Sequence, residues 1–144
     1  MNCVFCQIVA GQAPAVRIWE DAEYLAFLDI RPFAPGHTLV IPKTHHVDLS
    51  DTPPDTVAAL ARIGQRIAQA SRDSGLHADG NNIAINDGRA AFQSVFHIHL
   101  HVVPRRAGDK VSFLKGMLLR RDPDREASGR LLRDAVARLD GPLR

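Results

Sequence analysis

Three imidazoles alternate with large aliphatic side chains in His97-Ile98-His99-Leu100-His101. Alternate side chains of an extended strand point to opposite faces, so the histidines share one side while Ile98, Leu100 and Val102 turn toward a core. Imidazole titrates near neutrality and can act as nucleophile, proton shuttle or metal ligand; the row by itself does not choose among these roles. One histidine on a sheet is usually structural, but three in strict alternation beside the glycine-containing loop from Asp87 to Ala91 are not explained by packing.

A second group with chemical potential opens the chain. Cys3-x-x-Cys6 supplies half of a metal site, since structural zinc needs four ligands, typically thiolates and imidazoles. Two small buried thiols would show the same spacing. So would a thioredoxin-type redox pair, but the strand and flanks expected of one are absent.

The elements that must position these groups are read from apolar patterning. Val16 to Trp19 and Tyr24 to Leu28, separated by Glu20-Asp21-Ala22-Glu23, read as a β-hairpin. Pro32, Pro35 and Gly36 break the chain before a third strand, His37 to Ile41, which stops at Pro42. Pro53 and Pro54 open a helix to about Ser71, with Asp51 and Thr52 as expected caps, and Val57, Leu60, Ile63, Gly64 and Ile67 form the stripe that packs on a sheet. Gly75 is the expected stop signal. After a turn at Asp79-Gly80-Asn81, Asn82 to Asn86 and Ser94 to Val103 read as the last two strands of one mainly antiparallel sheet. Beyond Pro104 a polar loop leads to Val111-Ser112-Phe113-Leu114, and Asp122-Pro123 begins a final helix with Leu131, Leu132, Ala135, Val136 and Leu139 on one side.

With 144 residues, 45% hydrophobic, 24% charged and a formal net charge of +2, the chain reads as one ordinary globular domain, 1–144, that requires no nucleic-acid partner. Arg105, Arg106, Lys110, Lys115, Arg120 and Arg121 concentrate positive charge late in the chain, as an attractor for an anionic ligand or simply as a solvated face. The opening residues lack a basic region followed by a long apolar stretch, and no run is long enough to cross a bilayer. A cytoplasmic location, no membrane partner and reduced cysteines are therefore expected.

Asn86-Asp87-Gly88, followed by Gln93-Ser94-Val95-Phe96 and the histidine row, resembles in order and spacing the signature of the histidine triad (HIT) family. Phe27-Leu28-Asp29-Ile30, the run His37 to Lys43 and the run Phe5 to Val9 extend the likeness, so that it covers about 2–105 and leaves 106–144 as a C-terminal extension. The resemblance implies an α+β fold with a five-stranded, mainly antiparallel sheet and packed helices, usually as a two-fold dimer. It also implies binding of a nucleoside monophosphate moiety and cleavage at its α-phosphorus. Carried over by position, His99 is the nucleophile. His101 and Asn86 donate hydrogen bonds to phosphate oxygens, the backbone near Gln93 and Ser94 adds to that stabilisation, and Ser94 or Gln93 assists the leaving group. Asp29 accepts from the ribose hydroxyls, and Phe5, Ile8, Phe27, Ile30 and Leu39 form a slot for the base, although each of these apolar residues alone would read as core. Phe92 stands where much of the family has glycine, a departure on the leaving-group side.

Zinc-bearing members of the family complete a Cys-x-x-Cys pair with histidines. The resemblance thus implies a structural zinc on Cys3, Cys6, His97 and either His45 or His46, with His45 better placed by its Lys-x-His context. Two branches compete for the substrate, a purine nucleotide. Pro104 to Asp109 resembles the diadenosine polyphosphate branch, and Ser94 resembles the adenosine phosphoramidate branch. Two rival readings stay open: a metallohydrolase with one metal on all three row histidines, and a nucleotide-binding module without turnover.

Overall fold

The computed structural model describes residues 2–139. Its elements are α1 (Val4–Val9), β1 (Arg17–Glu20), β2 (Tyr24–Leu28), β3 (Thr38–Pro42), α2 (Pro54–Arg72), β4 (Gly80–Ile85), β5 (Leu100–Arg105), α3 (Lys110–Leu119) and α4 (Arg125–Leu139). The strands form one five-stranded antiparallel sheet in the order β1-β2-β3-β5-β4. This is the expected α+β architecture, with the expected C-terminal helix.

The β1–β2 turn closes because the Asp21 carboxylate accepts from the backbone N–H groups of Glu23 and Tyr24, at 2.8 and 2.7 Å. One sheet face packs on α2 and α4: Leu60, Ile63 and Ile67 of α2 and Leu132, Ala135 and Val136 of α4 share a core with Val40, Ile98, Leu100 and Val102. A smaller core lies on the other face, where Phe5 and Ile8 of α1 cover Leu25, Phe27, Leu39 and Ile41.

Several expectations are corrected. Asp51 and Thr52 do not cap α2: Pro53 is the cap residue, the Asp51 carboxylate holds the N–H groups of Val47 and Asp48, and the Thr52 hydroxyl donates to the Asp48 carbonyl. The helix ends at Arg72 with Asp73 as its cap, ahead of Gly75, which lies against Leu131. Gly80 and Asn81 are already strand, paired with Arg105 and Pro104. The last strand starts only at Leu100, because the Ile98 N–H is taken by the His46 carbonyl at 2.8 Å and not by a neighbouring strand. Finally, the run Val111-Ser112-Phe113-Leu114 lies within a helix, α3, that its spacing does not predict.

Candidate active site and thiol–imidazole cluster

Although His97 and His99 precede the strand, the row keeps its alternation. Ile98, Leu100 and Val102 enter the main core, and the imidazoles line the opposite side. The His99 and His101 ring centroids are 4.9 Å apart, and the edge of Phe5 from α1 abuts both His97 and His99, at 5.8 and 5.2 Å. Phe5, Ile8, Phe27 and Leu39 are packed with one another in the smaller core, whereas Ile30 is 71% exposed and stands apart from them.

Each ring has a backbone partner, direct or relayed, that fixes where its proton sits. A carbonyl only accepts and an amide N–H only donates. His97 therefore carries its proton on Nε2, given to the Pro42 carbonyl at 2.7 Å, and presents a lone pair at Nδ1. His99 carries its proton on Nδ1, given to the His97 carbonyl at 2.8 Å, leaving the Nε2 lone pair with no protein partner among the described residues. His101 is set indirectly. The Phe33 N–H donates to His37 Nδ1 at 3.0 Å, so neutral His37 is protonated on Nε2 and donates to His101 Nδ1 at 2.9 Å. His101 must then hold its proton on Nε2, the only buried side-chain nitrogen or oxygen without a partner among the described residues.

Burial keeps these rings neutral. It pushes His37 down to about 3, with the neighbouring His101 and Arg120 adding to the effect, and His97 and His101 each down to about 4. Burial lowers His99 too, opposed by the His97 carbonyl and the Asp29 carboxylate, which favour its charged form. A neutral imidazole with a free lone pair beside one with a free N–H can attack an electrophilic phosphorus while binding one of its oxygens.

His37 is the functional residue that sequence reasoning missed. The Asp29 carboxylate lies 3.6 Å from its Nε2 and accepts the Arg31 N–H at 2.8 Å. Burial raises Asp29, and Arg120 is among the groups that counter the rise. Asp29, His37 and His101 are close enough together to suggest a metal site. However, the Phe33 N–H occupies one His37 nitrogen and the proton given to His101 occupies the other, so Phe33, His37 and His101 form a hydrogen-bonded relay with the Asp29 carboxylate alongside it.

The loop from Asp87 to Ser94 is shaped by Gln93, which is buried. Its side chain accepts from the Gly88 N–H at 2.8 Å and donates to the Val47 and Val95 carbonyls at 2.7 and 3.1 Å, and its own N–H goes to the Gly88 carbonyl. Gln93 is thus engaged with the loop itself. Ser94 beside it is exposed, and Asn86, just past β4, is half-buried. Gly88 takes φ +90, a value that favours glycine, and Phe92 takes a left-handed φ of 70 while remaining 87% exposed.

The Cys-x-x-Cys pair does meet histidines. Cys3, Cys6, His45 and His97 offer four ligand atoms that all lie within 4.8 Å of one another, while His46 contributes only its carbonyl, to Ile98. Cys3 Sγ and Cys6 Sγ lie 3.5 and 3.6 Å from His97 Nδ1, Cys6 Sγ lies 3.5 Å from His45 Nδ1, and the two Nδ1 atoms are 3.2 Å apart. Zinc bond lengths in a tetrahedron require edges of about 3.5 Å between sulfur and nitrogen and about 3.3 Å between nitrogens. The donor set therefore fits zinc in both chemistry and spacing. It also answers the metallohydrolase rival: His97 directs its lone pair to this cluster, His99 to open space, and His101 carries a proton, so the three do not share a centre.

Sheet, imidazole row and thiol cluster together define an α+β protein of the histidine-triad class. The HIT domain model matches residues 10–108, and the chain belongs to that family. It is 67% identical over 140 residues to a HIT-like protein of Mycobacterium tuberculosis, covering 97% of this chain and 96% of that one. It is 34% identical over 139 residues to the adenosine 5'-monophosphoramidase of Saccharomyces cerevisiae, covering 96% and 84% respectively. Among solved structures, a zinc-bound histidine triad family protein from Mycobacterium smegmatis superposes with a TM-score of 0.91 at 74% identity, over 97% of this chain and 96% of that one. No helix among the described residues is long and apolar enough to cross a membrane.

Proposed function

We propose that this HIT protein cleaves the α-phosphorus bond of a purine nucleotide through a covalent nucleotidyl intermediate on His99. The observation that carries this reading is the pair of fixed tautomers: a lone pair on His99 Nε2 beside an unpartnered N–H on His101 Nε2. In the first step His99 Nε2 forms a bond to phosphorus, and the leaving group departs with the electrons of the bond it breaks. The His97 carbonyl, already hydrogen-bonded to His99 Nδ1, stabilises the positive charge that appears on the ring. His101 Nε2–H binds a non-bridging oxygen, Asn86 supports another, and exposed Ser94 protonates the leaving group. In the second step water attacks phosphorus and returns a proton to the Ser94 oxygen, the P–N bond breaks, its electrons return to His99 Nε2, and the nucleoside monophosphate leaves.

Asp29 accepts from the ribose hydroxyls in this reading, and the Phe5, Ile8, Phe27 and Leu39 wall with exposed Ile30 borders the base. Between the two branches we favour phosphoramidates. The Arg105 and Asp109 side chains of the polyphosphate-like run are paired with each other at 2.9 Å ahead of α3, whereas Ser94 stays free beside the row. Zinc on Cys3, Cys6, His45 and His97 would neutralise two thiolates and tie α1 to the sheet, a structural service with no part in bond breaking. A two-fold dimer through β4 is supported by its place at the sheet edge with Ile83 46% exposed, since an antiparallel edge pairs with its own copy.

The test is AMP release from an adenosine phosphoramidate and, separately, from a diadenosine polyphosphate, by wild type and His99→Ala, with and without chelator. Release that vanishes in His99→Ala yet survives chelation is expected. No release from wild type with AMP still bound would replace this reading with that of a binding module.

A further inference from the structure

The turn joining Asp29 to His37 carries both the carboxylate assigned to ribose and the histidine that sets the His101 tautomer. One side chain from outside holds that turn at two points. Arg120, the C-cap of α3, donates from Nε to the Arg31 carbonyl at 2.8 Å, and its guanidinium lies over the Phe33 ring at 4.2 Å. Arg31 is the residue whose N–H holds the Asp29 carboxylate, and Phe33 is the residue whose N–H holds His37 Nδ1.

The rest of α3 is built around the same contact. Phe113 meets Phe33 edge-on at 6.2 Å and is itself covered by Arg105 at 3.8 Å. A Cβ on Gly116 would collide with the Phe33 carbonyl oxygen, so α3 approaches this turn backbone to backbone. Arg120 adopts a left-handed φ of 53 at the end of the helix, a conformation unfavourable for a non-glycine residue, and its side chain reaches back over the turn. The guanidinium acts electrostatically on Asp29, whose carboxylate burial would otherwise drive toward the neutral form.

We propose that Arg120 is a positioning residue for ribose recognition, clasping the Asp29–His37 turn so that the Asp29 carboxylate faces the sugar hydroxyls. The C-terminal extension thereby sets selectivity for ribonucleotides at a site whose direct contacts all come from the core. This inference rests on the nucleotide reading above.

The experiment compares AMP with 2',3'-dideoxy-AMP, which lacks both hydroxyls, by calorimetric titration of wild type, Arg120→Ala, Arg120→Lys and Phe33→Leu. Wild type should favour AMP. Arg120→Ala should weaken AMP roughly tenfold, the equivalent of one charge-assisted hydrogen bond, and leave the dideoxy ligand nearly unchanged, so that the selectivity ratio collapses. Phe33→Leu, which removes the ring beneath the guanidinium, should reproduce the collapse; Arg120→Lys, which keeps the charge without the planar fork, should recover part of it. Equal weakening of both ligands, or an unchanged ratio, would overturn the role of Arg120 alone. If wild type binds neither ligand, the nucleotide reading itself fails and this inference with it.

Discussion

Replacing His37 with leucine tests whether the His101 proton is placed by the relay from Phe33. The substitution removes the acceptor of the Phe33 N–H and the donor to His101 Nδ1 in a site where His37 is fully buried. His101 then has no neighbour that distinguishes its two tautomers. The bias that is lost equals about one buried hydrogen bond, about 1–3 kcal/mol, which corresponds to a roughly 5- to 150-fold fall in the rate of AMP release. A second cost of similar size falls on stability, because the Phe33 N–H loses its partner in a half-buried position.

His37→Gln supplies the control, since a glutamine amide can accept from Phe33 through oxygen and donate to His101 through nitrogen. Single-turnover AMP release at pH 7.5, above the range in which the unfolded chain's histidines charge, separates the catalytic loss from linkage effects. The expected order is wild type, then His37→Gln within a few-fold, then His37→Leu far below, while nitrogen NMR of His101 shows mixed tautomers only in the leucine variant. Equal impairment of both variants, or full activity in His37→Leu, would refute the relay.

Acidification should destabilise the fold. His37 and His101 have folded pKa values of about 3 and about 4, below the 6.5 of the unfolded chain, so between those limits the unfolded state binds the extra protons. Stability is independent of both groups above pH 6.5 and falls by about 1.4 kcal/mol per group for each unit below it; a urea midpoint that held steady from pH 6.5 to 5.5 would contradict this. Cys6→Ser should lower bound zinc, measured by metal analysis of purified protein, and reduce the melting temperature, while AMP release falls only as far as α1 loosens Phe5 from His99. Phe92→Gly relieves a left-handed φ worth about 1–2 kcal/mol against a glycine entropy cost of about 0.5–1, so chemical denaturation should show a gain of up to about 1.5 kcal/mol.

Elements whose apolar residues repeat at the period of their own geometry were legible in the sequence. The hairpin, the β3 strand, the α2 stripe and the apolar face of α4 needed only the runs and steps named for them. The helix α3 left no such mark: Val111, Leu114, Leu118 and Leu119 are all exposed, and no residue of the helix is buried, so it has no buried face for a pattern to betray. His37 was hidden for a different reason. Leu39 pairs with His101, so His37, two residues before Leu39 and on the same face, is the diagonal neighbour of His101 across the two strands. That neighbourhood depends on the β3–β5 register, which joins segments more than fifty residues apart and has no local sequence signal. Gln93 shows the opposite case: its position was evident, but its side chain is turned onto the loop backbone by three hydrogen bonds that depend on how Val47 folds over it.

The three histidines of the row look interchangeable in sequence, yet each is anchored by a different group. His97 is anchored through Nε2 by Pro42, His99 through Nδ1 by the His97 carbonyl, and His101 through Nδ1 by His37. The anchor decides what the free nitrogen is: a lone pair aimed at two thiols, a lone pair with no partner among the described residues, and a donor N–H. A single metal on the row would need three lone pairs converging on one point, and two of these anchors forbid that. His97 also joins the two ends of the site. Its ring belongs to the thiol cluster and its carbonyl holds the His99 proton, so whatever fixes the His97 ring also fixes the orientation of His99. In the proposed reaction the thiol cluster thus governs the precision of His99 without touching the substrate, and if the cluster holds zinc, its removal should broaden the orientation of His99 before it unfolds the sheet.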